Sequence, residues 1–174
     1  MKKLLRVLAV FLTILMSSVA FAKTLPEFYN INDPAHIGLG GLKSGFNYEQ
    51  VCNIHGEPTK VHRTKNPKRD VLFPEPYYEV YAYYGKTVKL SFIMLSKSKE
   101  MRLYKIESTG KNGWKTPDGL TVGMKEAEMK KILGPSFQSA DKPEHHSYNS
   151  EVGSLIFTVK DGVITAIVCI VELA

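Results

Sequence analysis

GLKSGFNYEQVCNIHGEP (residues 41–58) and GLTVGMKEAEMKKILGPS (residues 119–136) align without a gap at an offset of 78 residues. Three glycine pairs coincide, Gly41 with Gly119, Gly45 with Gly123 and Gly56 with Gly134, and Leu42/Leu120 and Ile54/Ile132 match as apolar partners. A unit of this size buries little surface alone, so two copies are expected to cover one another. In the first copy Asn47 and Gln50 form a capping-box pattern for a helix ending near His55, where Gly56 and Pro58 stop it. Val51, Ile54 and His55 share one face of that helix, as Met129, Ile132 and Leu133 do in the second. Lys125 stands where the first copy has Asn47, so the second helix starts without the better cap.

Each copy is followed by runs with strand character. These are YYEVYAYYG at 77–85, TVKLSFIML at 87–95 and MRLYKIES at 101–108, then HHSYNS at 145–150, GSLIFTVK at 153–160 and VITAIVCIVEL at 163–173. Asp161-Gly162 is a hairpin signal between the last two. Val88, Leu90, Phe92 and Met94 share a face, as do Leu155, Phe157 and Val159, and these faces are expected to meet the helices. The final run is apolar on both sides, which suits a central strand or a covered outer face. The predicted fold is therefore α+β, with two tandem repeats. Each is a short helix followed by a three- to four-stranded antiparallel meander, with the helices on one side of a combined sheet. Residues 37–112 form the first repeat and 113–174 the second. Between helix and strands, the first repeat carries a basic, Pro-containing insertion at 59–76 that residues 137–143 replace in the second, and such an insertion is expected on the surface and mobile.

The chain opens on a signal-peptide pattern over residues 1–22: Lys2, Lys3 and Arg6, an apolar stretch, then Ala20-Phe21-Ala22. The apolar run is shorter than a membrane span needs, so no transmembrane anchor is expected after cleavage and the protein is expected in a periplasm or outside the cell. A polar lead-in follows at 23–36. The formal net charge of the whole chain is +6, and removing residues 1–22 lowers it to +3. The first repeat carries +6 of the mature charge and the second −2. An exported protein of this charge is expected to meet envelope components rather than nucleic acid. Cys52 and Cys169 are the two cysteines. The compartment favours a disulfide between them, and their helical and apolar-strand settings equally suit two buried thiols.

The turn glycine, the two-turn helix of the form V-x-x-x-x-G-x-P and the following meander resemble the BamE (SmpA/OmlA) and β-lactamase-inhibitor-protein group of exported modules. The resemblance covers residues 41–58 with their strands and again 119–173. It implies helices over one face of an antiparallel sheet whose other face and loops grip a second protein. The chain departs from BamE-like lipoproteins in lacking a lipid-bearing cysteine after the signal, and from the whole group in its basic insertion.

Chemistry-bearing motifs are sparse. His145 and His146 beside Glu144 are adjacent in a strand and so point to opposite faces, which does not suit one shared metal ion. No nucleophile motif or paired carboxylates stand out, and no cofactor is expected. His55 occupies the position of Leu133 in the second helix and reads as a core or boundary residue. The binding candidates are the tyrosines Tyr78, Tyr81, Tyr83 and Tyr84, because Tyr joins large area to a polar tip, and the basic residues Arg63, Lys65, Lys68 and Arg69. The expected function is a non-enzymatic binding module for another envelope or secreted protein, inhibitor-like or assembly-factor-like. One alternative is a binder of an anionic lipid or polymer surface through residues 59–70. A small hydrolase or metal-binding protein is the other.

Overall fold

The computed structural model describes residues 34–71 and 73–173; the signal-peptide reading at 1–22 and nearly all of the lead-in at 23–36 lie outside them. After a 3-10 turn at Pro34–His36 come α1 (Tyr48–His55), β1 (Lys60–Arg63), β2 (Tyr77–Tyr84), β3 (Val88–Leu95) and β4 (Met101–Ser108). Then follow α2 (Glu126–Leu133), β5 (Phe137–Ser139), β6 (Lys142–Ser150), β7 (Gly153–Lys160) and β8 (Val163–Val171). The strands form one sheet in the order β1-β2-β3-β4-β8-β7-β6-β5, antiparallel at every junction.

This corrects the predicted architecture. Two helix-plus-meander repeats with a helical layer on one side are not what the residues build; among the described residues an eight-stranded sheet dominates, with two eight-residue helices. The helices are too slight to form a layer. Val51 is the one buried side chain of α1, and Met129 and Leu133 are those of α2. Much of the remaining cover comes from non-helical chain: Ile37, Leu39, Leu42, Leu120 and Val122 are buried in the same core. That core runs through both segments because β4 pairs with β8, setting Ile106 against Cys169 and Glu107 against Val168.

Local signals explain the element ends. Asn47 Oδ1 accepts from the Gln50 N–H and Gln50 Oε1 accepts from the Asn47 N–H, both at 2.9 Å, so α1 begins in a complete capping box. At α2 only half of the box exists, because the Lys125 ammonium carries no lone pair with which to accept from the Glu128 N–H; Glu128 Oε2 accepts from the Lys125 N–H at 3.1 Å. The β7–β8 hairpin turns on Asp161 and Gly162, at φ 51° and 71°, the two positive values a tight type I′ turn needs.

Part of the insertion is strand rather than connection. Residues 60–63 are an edge strand, each residue exposed, and paired with β2. Farther on, Lys68 and Tyr77 exchange backbone hydrogen bonds of 2.7 and 3.0 Å. The Phe73 ring then packs against Tyr77 at 4.6 Å between centroids.

Candidate functional site

Register decides which side chains share a face. Val61, Ala82, Leu90, Ile106, Cys169, Leu155 and Tyr148 are successive cross-strand partners, and all but Val61 are buried. The neighbouring row, Lys60, Tyr83, Lys89, Glu107, Val168, Ile156, Ser147 and Phe137, points to the opposite face, and none of its members is buried. The sheet thus has a core face and an open face. The open face is charged and phenolic over β1–β4 and largely aliphatic where Val168, Ile156 and the exposed Ile170 lie.

Glu79 is the hub of the phenolic half. Its Oε2 accepts from Lys68 Nζ at 2.6 Å and from the Tyr81 hydroxyl at 2.7 Å, and its Oε1 lies 3.4 Å from the Tyr104 hydroxyl. Burial opposes ionisation of Glu79, but the Lys68 and Tyr81 hydrogen bonds outweigh it and hold the carboxyl below its ordinary range. The same carboxylate keeps Tyr81 protonated, chiefly through the hydrogen bond. Tyr104 is pushed up to about 12 by burial first and then by Glu79. A second cluster stands on Glu107, flanked by Lys89 at 2.8 Å and Lys105 at 3.1 Å. Burial opposes its ionisation as well, and the two lysines prevail.

Three residues of β1 lie along the tyrosines of β2. Lys60 Nζ is 6.0 Å from the Tyr83 ring centre, His62 stacks on Tyr81 at 6.3 Å with the planes 6° apart, and Arg63 Cζ is 4.8 Å from the Tyr78 ring centre. Lys89 Nζ sits 5.0 Å from Tyr81. Of the candidate tyrosines, Tyr81 and Tyr83 therefore occupy the open face. Tyr78 and Tyr84 do not; they share the parity of the buried Val80 and Ala82. The Tyr84 hydroxyl donates to the Gly56 carbonyl at 3.0 Å, and its ring meets His55 edge-on. Among the basic candidates, Arg63 and Lys68 join these contacts, whereas Lys65 and Arg69 are simply exposed. Lys89, Lys105, Glu107 and the hub role of Glu79 go unmarked in the sequence: Lys105 and Glu107 alternate on β4, but only the register sets Lys89 beside Glu107.

Elsewhere, a groove of about 620 Å³ lies between residues 35–43 and 112–117. His55 stacks there on Trp114 at 4.2 Å and bonds the Gly40 carbonyl through Nε2 at 2.8 Å, a boundary role as expected. The cysteines are free thiols, so the disulfide alternative is not what the structure shows. Cys169 is buried mid-sheet, with its thiol pushed up to about 12, whereas Cys52 is half-buried on α1. Among the described residues, no three His, Cys, Asp or Glu side chains gather as a metal site would need.

His146 faces inward and His145 does not. His146 Nδ1 is 2.8 Å from Ser136 Oγ, while Nε2 lies 3.3 Å from Gln138 Nε2 and 3.5 Å from Glu126 Oε1. This superficially resembles a Ser-His-acid triad. The Gln138 amide nitrogen, however, also donates to the Pro143 carbonyl at 2.6 Å, so the network assigns the amide as donor to both. His146 Nε2 is then a lone-pair acceptor and Nδ1 carries the proton that goes to Ser136. In that tautomer the imidazole does not take a proton from the serine.

Burial lowers the His146 pKa below 6.5, with Glu126 opposing and Lys130 assisting. The unfolded chain therefore takes up this proton first. Its contribution to stability is complete above about pH 6.5 and is lost as pH falls through the lower folded value. Urea unfolding at about pH 7.5 and 5.5 should show the wild type losing stability relative to His146→Gln; parallel pH dependence in the two proteins would refute the buried neutral imidazole.

No protein-family model, curated protein or solved structure matches the chain.

Proposed function

We propose that this chain is an exported, non-enzymatic protein-binding module whose partner, another envelope or secreted protein, meets the phenolic half of the open sheet face. The observation that carries the reading is the array on β1–β4. Tyr81, Tyr83 and Tyr104 stand among Lys60, Lys68, Lys89, Lys105, Glu79 and Glu107 on a face opposite the buried core. Tyrosine ordered by charged neighbours offers contact area at small entropic cost, as binding surfaces require. Export rests on the pattern at residues 1–22. The resemblance to the BamE and β-lactamase-inhibitor-protein group, whose sheets grip other proteins, supports the same reading.

A photo-crosslinking residue placed at Tyr83, in protein carrying its own leader, is the test. A discrete protein adduct is expected from position 83 and not from Lys131, exposed on α2. No adduct at 83, or identical adducts from both positions, would remove the open face as the binding surface. The second reading, attachment to an anionic lipid or polymer through 59–70, is favoured by the exposure of Arg63, Lys65, Lys68 and Arg69.

A further inference from the structure

We propose that the free edge of β1 accepts an extended acidic segment of a partner protein as a ninth strand. This rests on the protein-binding reading above and specifies the partner's chemistry. Among the described residues β1 is an outermost strand that pairs with β2 alone, and all four of its residues are exposed. The outer side of such a strand presents backbone donors and acceptors that another extended chain can pair with.

Side chains on this exposed edge have ring partners. Lys60, His62 and Arg63 lie 6.0, 6.3 and 4.8 Å from the ring centres of Tyr83, Tyr81 and Tyr78, contacts that favour these positions while leaving the residues accessible. Their alternation gives the edge two flanks. Lys60 and His62 belong to the open-face rows, and Val61 and Arg63 to the other side, where Val61 remains 48% exposed. An incoming strand would thus meet cations on both flanks and one apolar contact beside Arg63. Lys65, Lys68 and Arg69 extend the positive field, and Asp70 is the sole acidic residue between 60 and 70.

The same charges decide against a second copy as occupant. Pairing two β1 edges sets one cationic strand against another, and like charges opposite one another are destabilising. An acidic strand reverses the sign of each of those interactions, so one set of residues both refuses self-pairing and selects the partner. The other edge of the sheet provides the contrast. Phe137, Gln138 and Ser139 form a three-residue strand without a cation, and Phe137 is 66% exposed.

Selection from a random-peptide display library on the full mature chain tests the inference. Enriched peptides should carry Asp or Glu at alternating positions, and N-methylation of alternate backbone amides should abolish their binding. The double variant Lys60→Glu/Arg63→Glu should weaken them by about tenfold or more. Lys65→Glu/Arg69→Glu, outside the strand, serves as the second variant should the first fail to fold, and should weaken binding in the same direction. Neutral or basic winners, indifference to N-methylation, or no enrichment would overturn the proposal. So would equal retention on vesicles of anionic lipid without peptide preference. Because the cross-link at position 83 does not depend on strand addition, its persistence alongside a failed selection would sink the edge site and leave the open-face reading standing.

Discussion

Gly153→Ala is expected to destabilise the protein by about 2–5 kcal/mol, combining backbone strain with overpacking. Gly153 opens β7 at φ 148°, a region that residues with a Cβ scarcely visit. A methyl group there would lie 2.4 Å from the Ile170 carbonyl oxygen and 2.9 Å from Ile37 Cγ2. The first neighbour is the backbone of a strand, and the strand is paired on both sides, so it has no rotamer with which to yield. Gly162→Ala is the control. It has φ 71° and open space around it, so only the left-handed penalty of about 1–2 kcal/mol applies. Chemical denaturation of both variants decides the matter; equal losses would mean that the chain between Ser150 and Gly153 turns differently from the geometry described.

How much of this was legible depends on the range of each signal. The α1 boundaries follow from Asn47, Gln50 and Gly56, and the β7–β8 hairpin from Asp161-Gly162, because caps and turns are written in neighbouring residues. Two-sided apolarity in VITAIVCIVEL suits a central strand or a covered outer face, and β8 takes the first, between β4 and β7. The expected helical layer failed for a related reason. A cap fixes where a helix starts but not how much it covers, and Leu39 and Leu42 ahead of α1, with Leu120 ahead of α2, carry burial that the pattern assigned to the helices. The site divides in the same way. Tyr81 and Tyr83 stand out by composition, and Lys105 and Glu107 alternate on β4, but Lys89 meets Glu107 only through the pairing of β3 with β4, which no local run encodes. Likewise 59–76 read as a loop because its strand is four residues long and basic, which is how an exposed edge is usually kept from aggregating.

Ile106→Ala is expected to cost about 2–5 kcal/mol, the range for deleting a fully buried branched side chain. Its side chain is 0% exposed, between Leu90 on β3 and Cys169 on β8, at the junction where residues 37–112 meet 113–174. The size of the loss matters less than its distribution. If β4–β8 pairing makes the two segments one cooperative unit, the mutation lowers a single transition, and far-UV circular dichroism and the fluorescence of Trp114, the only tryptophan, fall together. Trp114 is a suitable reporter because it stacks on His55 of α1 while belonging to the second segment, so it registers loss of contact between them. Transitions that separate in the variant would mean that each segment retains its own core and that the sheet is a docked pair. Coincident transitions would instead mean that one buried row, from Ala82 across to Tyr148, stabilises both halves at once, so that loss of a single side chain at its centre is felt from β2 to β6.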